Sequence, residues 1–298
     1  MPHLRALPAF ALLLPACMTT APEPPEVYGH RGCRGLEPEN TIAAFQHAAR
    51  LGCSWLELDV VLTGDGHVLV SHEPWMDHRI CTGPDGEALT EEQGRALNIH
   101  RMTLSQAQDC DCGSLVHPDF PDQESRRARK PTLAEVVEAM EELTLAEGVG
   151  PLAYNIEIKS DPAWYGIYQP APDTLAAAVV ATLTDLHLGA NCMLQSFDPA
   201  VLEAVHALDP GLRTALLVES GTDPAAELAR LSYTPEVYSP HFSLVNAEVV
   251  RSLQQRNIAV VVWTVNEEAD IRRMIALGVN GIITDFPDRA LRVLEEQG

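Results

Sequence analysis

Basic side chains are scarce in this chain of 298 residues, where 20 Lys and Arg stand against 42 Asp and Glu and give a formal net charge of −22. A protein that binds nucleic acid needs a basic surface for the phosphate backbone. The shortage therefore argues against nucleic acid as a partner. A site for any other anion in so acidic a protein must obtain its positive charge locally, from a metal cation or from grouped Arg and Lys residues.

Long apolar runs are also missing from the start of the chain. The apolar stretch at residues 6–16 is too short to cross a bilayer. The short segment before it contains one Arg, so the two together have the form of a signal peptide over residues 1–16. An ordinary cleaved signal and an uncleaved tail remain the alternatives.

The end of this segment resembles a bacterial lipobox in Leu14, Ala16 and Cys17. The resemblance implies cleavage before Cys17 and attachment of a lipid to its sulfur. Residues 17–26 are rich in Pro and Thr and are predicted to form an extended tether. We therefore expect a protein of the bacterial cell envelope that is lipid-anchored, faces the periplasm or the exterior, and meets the membrane through its N-terminus.

Six cysteines remain beside the candidate lipid attachment site. Sequence alone does not choose their pairing. We favour a disulfide of Cys81 with Cys110 or Cys112, because all three lie in one loop-like segment, and we expect Cys53 and Cys192 to be buried thiols beside apolar runs. The Cys110-Asp111-Cys112 segment has no His or Cys partner at the spacing of a zinc site.

Short apolar runs alternate with amphipathic stretches from residue 27 onward, which is typical of parallel βα units. Nine segments have strand character: residues 26–30, 55–62, 67–71, 153–159, 192–196, 213–219, 237–240, 258–265 and 281–285. The second and third are too close for a parallel crossover and form a hairpin. The remaining count predicts an α/β fold, a (β/α)8 TIM barrel over residues 27–298, with an insertion at about 73–130.

Two acids alternate with apolar residues in Leu56-Glu57-Leu58-Asp59-Val60, so Glu57 and Asp59 project from one face of their strand. The Asp65-Gly66 pair that follows is typical of a two-residue type I′ hairpin loop. Such a loop would pair Asp59 with His72 and place the imidazole across from the carboxylate, about 5 Å away between Cβ atoms.

Polar side chains gather at the carboxyl ends of the predicted strands, where TIM barrels carry their active sites. Glu157 and Lys159 share one face of their strand. Glu57, Asp59 and Glu157 together offer the oxygen ligands that Mg²⁺ or Ca²⁺ prefers over zinc. We therefore predict a divalent-cation site of three carboxylates.

The same strand ends supply groups for phosphate chemistry. Arg31 can bind a phosphate oxygen through two N–H groups, and Lys159 can add a point charge. His30 and His72, on opposite sides of a phosphodiester, could act as base and acid. Taken singly, each has an ordinary explanation, such as a structural imidazole or a plain Glu157–Lys159 ion pair. Their convergence on one rim favours catalysis.

Two further residues are candidates for the wall of the substrate site. Gln195 ends the fifth predicted strand, and Trp263 lies at the end of the penultimate one. The indole is equally compatible with simple packing and with an apolar wall against the substrate.

These residues belong to motifs that resemble the glycerophosphodiester phosphodiesterase family. The motifs are His30-Arg31-Gly32, Pro38-Glu39-Asn40-Thr41, Glu57-Leu58-Asp59-Val60, Ser71-His72, Glu157-Ile158-Lys159, Gln195-Ser196-Phe197, Trp263-Thr264-Val265-Asn266 and Thr284-Asp285-Phe286-Pro287. They occur in order over about residues 27–294. Glu73 stands where the family often has Asp, and the Cys-containing insertion resembles the exported branch.

The resemblance implies a barrel enzyme that uses a divalent cation, Ca²⁺ or Mg²⁺, to hydrolyse glycerophosphodiesters to glycerol 3-phosphate and an alcohol. It places the catalytic pair on His30 and His72, the metal ligands on Glu57, Asp59 and Glu157, and the phosphate contacts on Arg31 and Lys159. Two alternatives stay open. One is a lysophospholipase D or phospholipase-like activity on lipid diesters, and the other is an envelope protein that binds diesters without turnover.

Overall fold

The computed structural model describes residues 24–221 and 223–297. The predicted signal peptide, Cys17 and most of the predicted tether lie outside these residues. The nine strands of the described part are β1 (Glu26–Gly29), β2 (Trp55–Leu62), β3 (Val68–Val70), β4 (Ala153–Ile158), β5 (Cys192–Ser196), β6 (Arg213–Val218), β7 (Val237–Pro240), β8 (Ala259–Val262) and β9 (Gly281–Thr284).

The strands form a closed barrel. Their order is β1-β9-β8-β7-β6-β5-β4-β2-β3, and a further pairing of β1 with β2 closes the ring. The eight strands of the ring pair in parallel, whereas β3 pairs with β2 in the antiparallel sense and stands outside it. The predicted (β/α)8 fold is confirmed.

Ten α-helices lie in the described part of the chain. They are α1 (Ile42–Leu51), α2 (Glu91–Ala96), α3 (Leu104–Gln108), α4 (Leu133–Glu147), α5 (Pro172–Asp185), α6 (Pro199–Leu208), α7 (Pro224–Leu228), α8 (Ala247–Gln254), α9 (Glu268–Leu277) and α10 (Pro287–Glu295). Two of them, α2 and α3, belong to the insertion, whereas the others follow strands of the barrel. Local sequence sets several of their starts. Thr41 and Thr132, for example, cap α1 and α4 by accepting a backbone N–H bond with the side chain.

Along each strand, side chains point alternately to the outside and to the inside of the barrel, and the apolar residues of the two sets form separate cores. Leu56, Leu58 and Val60 of β2 point outward and are fully buried in the main core against the helices. Trp55 points inward and joins a layer that fills one end of the barrel, formed with Tyr28, Met193, Ala215, Val237, Val261 and Ile283. Because inward side chains recur every second residue, Glu57 and Asp59 lie above that apolar layer, toward the carboxyl ends of the strands.

The β2–β3 hairpin is offset by one residue from the predicted register. Val60 pairs with Val70, and the Ser71 N–H donates to the Asp59 carbonyl at 2.9 Å. Asp59 therefore lies opposite Ser71, so the predicted pairing of Asp59 with His72 was wrong.

The hairpin loop explains the offset. The Thr63 N–H donates to the His67 carbonyl at 3.0 Å, so the loop contains residues 64–66. A type I′ loop would need positive φ at Asp65 as well as at Gly66, but within the loop only Gly66 has it, at 89°. The Asp65 carboxylate instead accepts a hydrogen bond from the Thr63 hydroxyl at 2.7 Å, which favours the longer loop.

The insertion between β3 and α4 has a small core of its own, in which Leu69, Met76 and Ile99 are fully buried. A disulfide joins Cys81 to Cys112 within it, which selects one of the two predicted pairings.

The thiol prediction is confirmed for Cys53 and Cys192, which are buried and unpaired, as is Cys110 of the insertion. Each helix in the described part of the chain is too short or too polar to cross a membrane.

We predict that the disulfide stabilises the insertion. Replacing both Cys81 and Cys112 with Ser should lower the free energy of unfolding by about 3 to 4 kcal/mol, because the 31-residue loop gains entropy in the unfolded chain. Urea unfolding with and without a thiol reductant measures this. Reductant should destabilise the wild type and leave the double variant unchanged. Equal stability of the oxidised wild type and the variant would contradict the prediction.

Candidate active site

Three carboxylates meet at the carboxyl ends of two neighbouring strands. Glu57 and Asp59 come from β2 and Glu157 comes from β4, where Asp59 and Glu157 are register partners. One oxygen of each lies within 4.8 Å of the others, and all three residues are buried. The structure thus brings together the three predicted metal ligands.

Hydrogen bonds fix the orientation of these carboxylates. Glu57 accepts the Arg31 backbone N–H at 2.9 Å on Oε2 and the Gln195 side-chain amide at 3.0 Å on Oε1. Asp59 accepts the Asn40 side-chain amide at 2.8 Å on Oδ2. The other oxygen of Asp59, Oδ1, is buried without a hydrogen-bond partner. An unpaired carboxylate oxygen beside two further carboxylates is the donor set that a hard divalent cation fits.

Burial and mutual repulsion shift the pKa values of the cluster. Burial, together with Asp59 and Glu157, raises the pKa of Glu57 well above its usual value. Burial raises the pKa of Glu157 to about 7, against the opposing effect of Lys159. Asp59 behaves in the opposite way: burial opposes its ionisation, but His72, Arg31 and Lys159 hold its pKa well below the usual range. Without a cation, protons must therefore neutralise part of this cluster.

His30 is oriented by a carboxylate that directly follows the last strand of the barrel. Its Nδ1 lies 2.5 Å from Asp285 Oδ1, and Asp285 Oδ2 accepts the Asn266 side-chain amide at 2.7 Å. Burial opposes ionisation of Asp285, but His30 lowers its pKa, so the carboxylate is the acceptor of the imidazole N–H. The other nitrogen, Nε2, lies 3.9 Å from Glu57 Oε2 and faces the carboxylate cluster.

His72 has the same kind of support from the residue next to it. Its Nδ1 lies 2.7 Å from Glu73 Oε1. Burial, Arg31 and Lys159 lower the pKa of His72 to about 4. The side chain is still 29% exposed. A neutral imidazole with Nδ1–H bound to a carboxylate leaves Nε2 free to accept a proton.

The two predicted phosphate contacts lie beside the cluster. Arg31 Nε is 3.4 Å from Asp59 Oδ2, and Lys159 Nζ is 2.7 Å from Glu157 Oε1 and 3.8 Å from Asp59 Oδ1. Arg31 adopts the left-handed conformation, with φ of 50°, which is uncommon for a non-glycine residue and recurs at functional sites. The Glu157–Lys159 ion pair that the sequence suggested as an ordinary explanation is present, and it forms inside the site.

These groups line one cavity of about 340 Å³. His30, Arg31, His72 and Lys159 lie on its wall together with Arg34, Glu57, Glu157, Gln195, Phe197, Leu217, Glu219, Trp263, Thr264 and Ile283. The Trp263 indole N–H donates to the Ser239 carbonyl at 2.8 Å, and its ring packs edge-on against Phe197 at 5.4 Å between centroids. The predicted residues Gln195 and Trp263 thus both reach the cavity.

No role is predicted from the sequence for several residues that support the site. Asn40, Asp285 and Asn266 lie in the motifs listed for the family resemblance, but no local pattern shows which side chains they contact. The Asp285–His30 contact, for example, spans 255 residues. Arg34 lines the cavity without any motif to mark it.

Comparisons with known proteins agree with this geometry. Residues 30–289 match the model of the Glycerophosphoryl diester phosphodiesterase family. A glycerophosphodiester phosphodiesterase of Caldanaerobacter subterraneus subsp. tengcongensis is 30% identical over 276 residues, covering 91% of this chain and 98% of that protein. The crystal structure of a proposed glycerophosphoryl diester phosphodiesterase from Silicibacter pomeroyi has 31% identity and a TM-score of 0.79, covering 93% and 95% of the two chains.

Two further proteins are similar to this chain at lower sequence identity. An Oleispira antarctica phosphodiesterase, solved in complex with the product sn-glycerol-3-phosphate, shares the fold with a TM-score of 0.70 at 22% identity, covering 91% of this chain and 97% of that one. A lysophospholipase D of Mus musculus is 26% identical over 286 residues, covering 87% of this chain and 83% of that protein.

We predict that metal binding stabilises the protein more at high pH than at low pH. Because the pKa values of Glu57 and Glu157 are raised, the metal-free folded protein keeps protons at pH values where the unfolded chain has already lost them. Its stability therefore falls as pH rises toward about 7. A cation must displace those protons and binds more tightly as they leave. Thermal unfolding with and without millimolar Mg²⁺ or Ca²⁺ should show a larger rise in Tm at about pH 8 than at about pH 6.

The variant Glu157→Gln is the control for this prediction, because it removes one ligand and one titrating group. Its metal-induced rise in Tm should be much smaller at both pH values. A rise that is independent of pH, or that persists in the variant, would place the bound ion elsewhere.

Proposed function

Because this chain belongs to the glycerophosphoryl diester phosphodiesterase family and is an enzyme of that class, we propose a metal-dependent hydrolysis in which His30 and His72 transfer the protons. The products are glycerol 3-phosphate and an alcohol. The observation that carries the proposal is one cavity lined by two carboxylate-supported imidazoles and by three basic side chains, next to a carboxylate cluster. This is the set of groups that phosphodiester hydrolysis needs.

Substrate binding follows from the charges. The phosphodiester is an anion, and the protein as a whole carries a formal charge of −22. Arg31 and Lys159 supply local positive charge on the cavity wall, where Glu157 and Asp59 keep Lys159 protonated by raising its pKa against the effect of burial. Phe197 and Trp263 give the cavity an apolar surface for the rest of the substrate.

The carboxylates Glu57, Asp59 and Glu157 would hold the cation, Mg²⁺ or Ca²⁺. When bound, a divalent cation offsets the negative charge that grows on the phosphoryl oxygens in the transition state. The hydrogen bonds from Gln195 and Asn40 keep Glu57 and Asp59 in the orientation that this task requires.

Proton transfer is assigned to the two imidazoles. An unprotonated Nε2 of one ring takes the proton from the attacking water or from the 2-hydroxyl of the substrate, and the other ring, protonated on both nitrogens, gives its Nε2 proton to the departing alcohol. When the 2-hydroxyl attacks, the first product is a cyclic phosphate, which water then opens to glycerol 3-phosphate with the two rings in exchanged roles. Asp285 and Glu73 hold the opposite nitrogens, so each ring keeps its reactive nitrogen toward the cavity. Detection of a cyclic phosphate during turnover would identify attack by the substrate hydroxyl.

Lysophospholipase D activity is the second candidate, and the relationship to the mouse enzyme favours it. The discriminating measurement is the ratio of rates on glycerophosphocholine and lysophosphatidylcholine. Faster turnover of the lysolipid would replace our proposal with this candidate. Tight diester binding without any phosphomonoester release would instead indicate a binding protein.

We predict that the protein without residues 1–17 releases glycerol 3-phosphate from glycerophosphocholine. Chelation should abolish release, and Mg²⁺ or Ca²⁺ should restore it. His30→Ala and His72→Ala should each lower kcat by about 10²-fold to 10⁴-fold, because each removes one proton transfer. A coupled assay for glycerol 3-phosphate measures this. Circular dichroism should show that both variants keep the fold, and full activity in either one would exclude that residue from catalysis.

We further propose that the enzyme belongs to the exported branch and is anchored in the envelope through Cys17. The Cys81–Cys112 disulfide supports this, because disulfides persist in oxidising compartments outside the cytosol. Expressed at full length in a bacterium, the wild type should fractionate with membranes and Cys17→Ser should lose its lipid and its membrane retention. Equal distribution of the two proteins between membrane and soluble fractions would contradict the anchor.

A further inference from the structure

The insertion contains a buried histidine in an otherwise exposed stretch. His117 is 1% exposed, while its neighbour Val116 is 65% exposed. The His117 Nδ1 accepts the Asp119 backbone N–H at 3.1 Å, so the ring proton sits on Nε2. That nitrogen is buried, forms no hydrogen bond with any described residue at ordinary distance, and lies 3.6 Å from Glu39 Oε2. His117 is therefore aimed at Glu39.

Glu39 in turn contacts two arginines of the active-site cavity. Its Oε1 accepts Arg31 Nη1 at 2.7 Å, and its Oε2 lies 2.6 Å from Arg34 Nε. Both arginines line the cavity. Burial opposes ionisation of Glu39, but Arg31, His117 and Arg34 hold its pKa well below the usual value. One buried carboxylate thus connects two guanidinium groups to an imidazole of the insertion.

The insertion also fixes Arg34 from a second direction. The Phe120 ring lies 4.9 Å from the Arg34 guanidinium carbon, and the Gln123 side-chain amide donates to the Arg34 carbonyl at 2.7 Å. Close by, the Glu124 N–H donates to the Leu36 carbonyl at 2.9 Å. The segment 117–124 therefore holds both the backbone and the side chain of this part of the loop between β1 and α1.

We propose that His117 and Glu39 form a positioning pair through which the insertion sets the orientation of Arg31 and Arg34, and with it the affinity of the cavity for the phosphate of the substrate. The proposal rests on the proposed function in one respect, the role of Arg31 in phosphate binding. His117 touches no reacting atom. Its Nε2 lies toward Glu39, and the two arginines and Glu39 together carry one net positive charge for the anion.

The chain offers a matched control. His47 Nδ1 lies 3.1 Å from Glu37 Oε1. This is a second histidine–glutamate contact, and Glu37 lies two residues before Glu39 in the sequence. Glu37 contacts Arg126 of the insertion and neither cavity arginine. A change at His47 therefore removes a similar contact without reaching Arg31 or Arg34.

The test compares His117→Phe, His117→Gln and His47→Phe. Phe keeps the ring beside Phe120 but removes the N–H, whereas Gln keeps a donor. His117→Phe should raise KM for glycerophosphocholine, and the Kd for glycerol 3-phosphate measured by calorimetry, by about 10-fold, with kcat within about 3-fold of wild type. His117→Gln should recover most of the affinity, and His47→Phe should remain within about 2-fold of wild type.

Unchanged KM and Kd in His117→Phe would overturn the inference, as would a fall in kcat alone. If His117→Phe does not fold, Glu39→Gln replaces it, because it keeps the shape of the side chain and should weaken binding of glycerol 3-phosphate by at least the same factor. The Kd does not depend on turnover. A wild type that binds glycerol 3-phosphate but releases none from the diester would refute the proposed function, and the Kd values of the variants would then decide the positioning pair by themselves.

Discussion

Repulsion among three buried carboxylates is the constraint on which the rest of the site depends. Glu57, Asp59 and Glu157 lie too close together to be ionised at once in a buried place without a cation. Burial, together with the neighbouring carboxylates, raises the pKa of both Glu57 and Glu157. Burial of such a cluster costs free energy, so the cluster does not stabilise the metal-free protein. In the function that we propose, binding of a divalent cation makes the cluster favourable and gives an anionic diester positive charge to bind in an acidic protein.

The surrounding residues make this cluster usable for chemistry. Each imidazole of the proposed catalytic pair has one nitrogen held by a carboxylate, Asp285 for His30 and Glu73 for His72, so the rings do not have to be ordered when substrate arrives. The support differs in origin. Asp285 directly follows the last barrel strand, whereas Glu73 is the residue after His72 along the chain. The barrel thus orders one half of the proton-transfer pair, and the start of the insertion orders the other.

Sequence predicts the parts of this arrangement that local geometry determines. Alternation along a strand placed Glu57 and Asp59 on one face, and the count of strands predicted the closed barrel, because both depend on periodicity alone. The hairpin register failed by one residue, since it depends on whether Asp65 adopts positive φ, and its hydrogen bond to Thr63 favours another loop. No local sequence pattern predicts the contact of His117 with Glu39, because an irregular insertion brings the two residues together.

The measurement that tests the central claim most directly is anomalous diffraction from crystals of the protein grown with Mn²⁺, which takes the same oxygen ligands as Mg²⁺. Our account predicts one strong anomalous peak per chain, bonded to oxygens of Glu57, Asp59 and Glu157, and loss of that peak in Glu57→Gln. Crystals that diffract well and show no peak among these carboxylates, or an equal peak in the variant, would contradict the account.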